Sequence, residues 1–304
     1  MEDNIFQLRQ ELQARTYRHS DYTSFYVKDP KLRHIHKACV KDRVLHHAIF
    51  RILYPIFDAD FIFDSYSCRI RKGTHRAVNR LQEFAMKASK TNTKNCFALK
   101  CDIKRFFGSV DQTILLSLIE KKIKNDNAMW LIREIVKSFS TDANKGLPLG
   151  NITSQLFANV YLNELDQFVK HKLKVRYYIR YCDDFVIFGE DKWLEKLIPR
   201  LSCFLGEKLK LLLHPNKIEI RKYRQGIDFL GYVSFPNHRI LRTKTKKRMF
   251  RKMKQKRKEL TQDKISRESF NQTLQSYLGM LRHCDSYELK QALLFEEEGR
   301  SLAP

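Results

Sequence analysis

The chain has 304 residues, with 58 Lys and Arg against 34 Asp and Glu, a formal net charge of +24 and 43% hydrophobic residues. Such length and apolar content suit one large folded body and exclude a disordered chain. The charge, together with 12% aromatic residues, points to a polyanion and to nucleic acid before other partners. No apolar run approaches the roughly 18 residues of a membrane span, and the start MEDNIFQLRQELQ is no signal peptide. No membrane partner is therefore expected. Seven cysteines are scattered without a CxxC pair, which fits a reducing cytoplasm and neither a disulfide scaffold nor a zinc site. His34 with His36, and His46 with His47, lack the Cys or carboxylate neighbours of a ligand set.

In chain order, residues 4–16 read as a helix and 40–57 as an amphipathic helix stopping near Pro55. Residues 61–72 are β-rich and basic, 74–90 are helical, and FALKCDI at 97–103 is a short buried strand. Helices are predicted near 111–123 and 127–139, followed by the GLPLG turn at 146–150. Asn151 or Thr153 can cap the long apolar helix that follows. RYYIRYCDDFVIFGE reads as two strands with Cys182-Asp183 at the bend. A helix at 191–209, a strand at 218–222 and a strand pair around FLGYVSF and HRILRT complete the body. Composition then shifts: ten of the fifteen residues from Lys244 to Lys258 are Lys or Arg, and two more helices follow over 266–296. Met249, Phe250, Met253 and Leu260 give the basic stretch one apolar stripe, so one face packs and the other is cationic. A boundary is expected near residue 240.

Three acids stand at strand ends in apolar or basic surroundings: Asp102 closes FALKCD, and Asp183-Asp184 sit within the hairpin. Adjacent carboxylates flanked by buried strands call for a compensating cation, and oxygen ligands suit Mg²⁺. Two such ions a few Å apart are what nucleotidyl transfer requires.

Tyr181-Cys182-Asp183-Asp184 resembles the Tyr-x-Asp-Asp box of reverse transcriptases, and Lys100 to Phe107 (KCDIKRFF) resembles their first acidic motif. His214-Pro215-Asn216-Lys217 and Phe229-Leu230-Gly231-Tyr232 follow in the family's order and resemble its lysine-bearing motif and primer grip. The resemblance spans about residues 30 to 295. It implies an α+β right-hand polymerase: N-terminal helix and fingers over 1–99, antiparallel-sheet palm over 100–240, and basic helical thumb over 241–304. It also implies two Mg²⁺ ions held by Asp102, Asp183 and Asp184 with the Ile103 carbonyl, and Lys217 as the group that protonates departing pyrophosphate. Phe107 would be the gate against a ribose 2′-hydroxyl, with Phe106 in the core. Arg69 and Lys72 would meet the incoming triphosphate, although Arg71 is equally placed. Leu149, Gly150 and Gln155 would lie at the nucleotide. Lys244, Lys247, Arg248, Arg251 and Lys254 would track the phosphates of an RNA–cDNA hybrid.

One segment narrows the resemblance. Leu149 stands where most reverse transcriptases carry glutamine, and Gln155 where they carry proline. This pattern, with Ser276-Tyr277-Leu278-Gly279 and Leu281-Arg282-His283, resembles the enzymes of diversity-generating retroelements. That group implies a bacterial or phage enzyme that copies a template RNA from dNTPs, errs at template adenines and works with a small basic oligomeric accessory protein. No RNase H, endonuclease, integrase or maturase segment is read in the sequence, so reliance on partners is expected. The rival readings are a retron, group II intron or phage-defence reverse transcriptase, and a non-catalytic RNA-binding scaffold.

Overall fold

A computed structural model of the chain describes residues 2–29 and 31–295, so the end of the predicted thumb, 296–304, lies outside the described residues. Helices are interspersed with sheets of two, four and three strands among the described residues. The chain divides into two interleaved units: residues 1–73, 99–187 and 192–219, and residues 74–98, 188–191 and 220–304. This division cuts the sequence differently from three consecutive segments, because the chain passes between the units more than once.

The first unit is built on α7 (Ile152–Gln167), a helix buried on nearly every side. Both α2 (Val40–Asp58) and α5 (Gln112–Glu120) pack against it, and α6 (Asp126–Lys137) packs on α5. The polar residues of α7 are satisfied internally, as burial demands. Asn159 Nδ2 donates to the Ser67 carbonyl at 2.9 Å, and the Tyr161 hydroxyl donates to the Leu209 carbonyl at 2.6 Å. Asp111 caps α5 by accepting from the Thr113 and Ile114 amides, and Asn125 caps α6 by accepting from Ala128 N. The predicted hairpin forms from β4 (Tyr178–Tyr181) and β5 (Asp184–Gly189), antiparallel with Tyr181 opposite Asp184. With β3 (Phe97–Asp102) and β6 (Glu219–Lys222), the order of the four-stranded sheet is β4-β5-β3-β6.

Several local expectations change. Residues 61–72 form turns with one isolated bridge, Ser65 to Arg180, and no strand. Their carbonyls are taken by a side chain: Arg69 Nη1 donates to Ile62 O at 2.7 Å and Ser65 O at 3.0 Å. An unforeseen hairpin, β1 (Thr23–Val27) with β2 (Arg33–Lys37), has β1 exposed on both faces. Without a buried face it carries no alternating pattern to read. Helix α2 runs three residues past Pro55, since one lost donor is outweighed by the burial of Phe57. Helix α1 spans Glu2–Gln13, starting and stopping earlier than predicted.

His46 is buried in α2, with Nε2 3.2 Å from His19 Nε2 and Nδ1 3.4 Å from Thr153 Oγ1. Burial first, then His19, lowers its pKa to about 4. The folded state therefore keeps the ring neutral while the unfolded chain takes up a proton below about pH 6.5. Stability from this site is full above pH 6.5 and is lost as pH falls toward 4. Denaturant unfolding at pH 7 and pH 5 should differ by roughly 2 kcal/mol more in wild type than in His46→Gln. Identical pH slopes in the two proteins would remove His46 from the account.

In the second unit, α3 (Thr74–Ala88) packs on β8 of the sheet formed by β7 (Ile227–Phe229), β8 (Tyr232–Ser234) and β9 (Arg239–Leu241). The predicted strand pair is thus three short antiparallel strands. The basic stretch is α9 (Thr243–Thr261), which packs with α11 (Tyr287–Phe295) against α10 (Arg267–Leu281).

Candidate active site

The three aspartates are placed by adjacent strands of one sheet. Asp102 ends β3, Asp183 lies in the two-residue turn between β4 and β5, and Asp184 begins β5. Cys182, first in that turn, is left-handed at φ 55°, a conformation that costs a non-glycine residue energy and must be held by its surroundings. A backbone hydrogen bond from Ile103 N to Asp183 O at 3.3 Å joins the end of β3 to the turn. The His214 amide donates to Asp102 O at 2.8 Å and starts the short helical turn Pro215–Lys217. Lys217 Nζ then lies 2.8 Å from Asp102 Oδ2. The sequence placed these four residues in one site, and the structure brings them together.

Their electrostatics are unfavourable without further positive charge. Burial, reinforced by Asp102, raises the pKa of Asp183. Burial pushes Asp184 up to about 6; Lys100 acts against this, and Asp183 and Asp102 add to it. Among the described residues, no three His, Cys, Asp or Glu side chains form a ready-made metal site. The donor chemistry still fits a hard divalent cation: carboxylate oxygens, mutually repelling, with Lys217 already engaged by one of them. Asp102, Asp183 and Asp184 are the side chains that could hold it. Ile103 is buried at 1% exposure, with its amide committed to Asp183.

The turn at 146–150 is tied to the same unit through backbone bonds. Leu147 N donates to Phe107 O at 2.7 Å, Gly146 N to Val110 O at 2.8 Å, and His36 N to Leu149 O at 2.8 Å. Gly150 has φ 117°, and a Cβ there would lie 2.9 Å from Ile35 Cγ2, so only glycine fits. Phe106 is buried at 2%, as its core role requires, while Phe107 and Leu149 are half-buried. Gln155 is exposed in the first turn of α7. Asn151 makes no cap; its Nδ2 donates to His36 O at 3.0 Å and ties the turn to β2.

Two predicted nucleotide contacts are engaged elsewhere. Arg69 is 6% exposed at the side chain, with Nε 2.6 Å from Asp58 Oδ1 in addition to its carbonyl contacts. It is a clamp for its own segment. Lys72 donates to Phe63 O at 2.7 Å, and its ammonium lies over the Phe63 and Tyr66 rings.

A profile described as reverse transcriptase (RNA-dependent DNA polymerase) matches residues 27–234. The chain belongs to the reverse transcriptase family. It is placed thereby among RNA-directed DNA polymerases, which are nucleotidyltransferases. It is 24% identical to protein YkfC of Escherichia coli K12 over 280 residues, covering 79% of this chain and 71% of that one. It is 25% identical to the group II intron-encoded protein LtrA of Lactococcus lactis, covering 76% of this chain but 49% of LtrA. A 144-residue stretch is 30% identical to the Escherichia coli retron Ec73 reverse transcriptase, 43% of this chain and 44% of that one. Telomerase from Candida tropicalis shares the fold, with a TM-score of 0.54 at 12% identity, over 76% of this chain and 47% of that one. The right-hand polymerase fold thus holds for this chain. No helix among the described residues is long and apolar enough to cross a membrane.

In this reverse transcriptase the predicted primer grip is the tip of the β7–β8 hairpin. Leu230 and Gly231 have φ 52° and 91° between paired Phe229 and Tyr232, the positive values a tight hairpin turn requires. On α9, Met249 and Met253 are buried while Lys244, Lys247, Arg251 and Lys254 are exposed and Arg248 is half-buried.

One residue of the site was missed from the sequence. Arg180 of β4 is fully buried and donates from Nη1 to the Cys182 carbonyl at 3.1 Å. It is locked by Asp166 through bonds of 2.7 and 2.6 Å and reaches Ser65 Oγ at 3.1 Å. Its position two residues before Cys182 was its only sequence signal.

Proposed function

We propose that the chain copies a template RNA into cDNA from dNTPs, with Asp102, Asp183 and Asp184 holding two Mg²⁺ ions. The observation that carries this is the convergence of three buried or half-buried carboxylates and Lys217 at one end of two neighbouring strands. When bound, such ions activate a 3′-hydroxyl and support the pyrophosphate. Lys217 supplies a positioned ammonium that can hand a proton to the leaving group. Phe107 stands as the gate against ribonucleotides, half-buried beside the Leu147 amide that its carbonyl accepts. The second unit offers the hairpin tip of Phe229 to Gly231 to a primer, and α9 to the phosphates of the hybrid.

The finer reading is a diversity-generating enzyme, encoded by a bacterium or a phage, error-prone at template adenines and working in the cytoplasm with a small basic oligomeric accessory protein. It rests on Leu149, which can pack but offers no hydrogen bond where glutamine would. The similarity to LtrA and to the retron enzyme favours the second reading, another prokaryotic reverse transcriptase. Primer extension on an RNA template, with the cDNA sequenced, separates them. Under the first reading, Leu149→Gln lowers adenine-directed error a few-fold, since one hydrogen bond in a part-hydrated pocket is worth about 1 kcal/mol. Accurate copying by wild type, with its own RNA and accessory protein present, leaves only the second.

Hybrid binding should weaken steeply with salt. About five phosphate contacts along α9 give a log–log slope of about −3.5 to −4.5. A slope shallower than about −1 would reduce the basic helix to a solvated face.

A further inference from the structure

Arg239, on β9, carries a buried charge that no carboxylate of the described residues meets. It is 8% exposed. Nη1 donates to Asn79 Oδ1 at 2.9 Å and His283 O at 3.1 Å; Nη2 donates to Val78 O at 3.2 Å and Gln82 Oε1 at 2.7 Å. Every acceptor is neutral, and Nε is buried with no partner. A buried cation is ordinarily paired with an anion, because neutral dipoles only partly replace lost hydration. Burial accordingly lowers the pKa of the guanidinium.

The same residue lines a cleft of about 610 Å³. Arg282, His238 and His283 line it too, with the amide side chains of Asn79 and Gln82; the one carboxylate is Asp285. Asn79 and Gln82 accept from Arg239 through their oxygens, so their NH₂ groups remain as donors. His75 stacks on His283 with ring centroids 3.6 Å apart, and burial, His283 and Arg239 together lower the pKa of His75. The cleft thus gathers cations, potential cations and amide donors around one exposed acid. The exposed guanidinium of Arg282 can present its planar fork to the oxygens of a phosphate, and Arg239, with its Nη donors committed, adds its charge.

We infer that this cleft is an oxyanion site that receives a phosphate group, free in solution or within a nucleic-acid backbone. All its residues lie in the second unit, and the inference does not depend on the metal-binding aspartates. Calorimetric titration of the full chain with inorganic phosphate should show saturable binding at one site. Arg282→Gln combined with His238→Gln, both exposed positions, should weaken that binding at least about tenfold, as lost charged hydrogen bonds do. Lys121→Gln, exposed and in the other unit, should leave it unchanged. Arg239→Met should abolish it; if that variant does not fold, the double variant carries the test. The imidazole NMR signals of His283 should move on addition of phosphate. Adding a short RNA–DNA hybrid then separates the sources: displacement of phosphate assigns the site to a backbone phosphate, and joint occupancy assigns it to a free one. Absence of saturable binding to wild type, or equal phosphate affinity in wild type and the double variant, overturns the assignment.

Discussion

Asp183→Asn should leave no measurable DNA synthesis while preserving fold and RNA affinity. An amide keeps the size of the side chain but is a poor ligand for a hard divalent ion. The support that a bound ion gives to developing charge is worth several kcal/mol, so about a thousandfold or more in rate is expected to vanish. The fold should survive, because the native carboxylate is held against its preference: burial and Asp102 both raise its pKa. A carboxylate raised in the folded state costs stability when ionised, so removing its charge at pH 7 should leave the metal-free protein at least as stable as wild type. Mg²⁺ should reverse the order, since an ion that binds only the native state raises the melting temperature of wild type more than that of the variant. Primer extension and thermal unfolding with and without Mg²⁺ read both effects. Substantial Mg²⁺-dependent extension by the purified variant would end the metal-site assignment.

Acids in the wrong surroundings made the candidate catalytic cluster legible. Asp102, Asp183 and Asp184 interrupt apolar strands, and a strand that buries both faces has no ordinary use for them. Lys217 and the Gly146–Gly150 turn were readable through motif order. Helix α7 was readable as a long, largely apolar stretch, and its buried Asn159 and Asp166 sit where pattern alone would have put them on the surface. What escaped depends on partners distant in sequence. Arg69 and Lys72 are cations in a basic segment, and no local signal revealed that they donate to the backbone carbonyls of Ile62 and Phe63. The β1–β2 hairpin escaped because its exposed strand shows no periodic burial. Asn151 has the right type for a cap but faces an acceptor on β2, over a hundred residues earlier. Arg239 reads as one more basic residue beside a basic helix, and its burial follows from α3, 157 to 161 residues earlier.

Arg180→Met should destabilise the chain and impair synthesis, and a second substitution should separate the two effects. Arg180 and Asp166 are fully buried and bonded in the bidentate manner, with the Tyr178 hydroxyl also donating to Asp166 Oδ1 at 2.7 Å. Removing the guanidinium strands a buried carboxylate, which typically costs about 3–5 kcal/mol. Replacing both partners with apolar residues, Arg180→Met with Asp166→Leu, removes the stranded charge and should restore most of that loss. It cannot restore the donor to the Cys182 carbonyl, nor the bond from Arg180 Nη2 to Ser65. Cys182 stays left-handed only while its surroundings hold it, and Asp183 follows it directly. The double variant should therefore unfold near the wild-type denaturant concentration yet synthesise DNA at least about tenfold more slowly. The defect should lie in kcat and in the Mg²⁺ concentration required, because loosened geometry at reacting groups costs rate more than binding. Arg180→Lys should not rescue it, since one ammonium cannot reproduce a planar fork with five acceptor atoms. Wild-type kcat and Mg²⁺ requirement in a stable double variant would show that the ion pair only fills space beneath the hairpin.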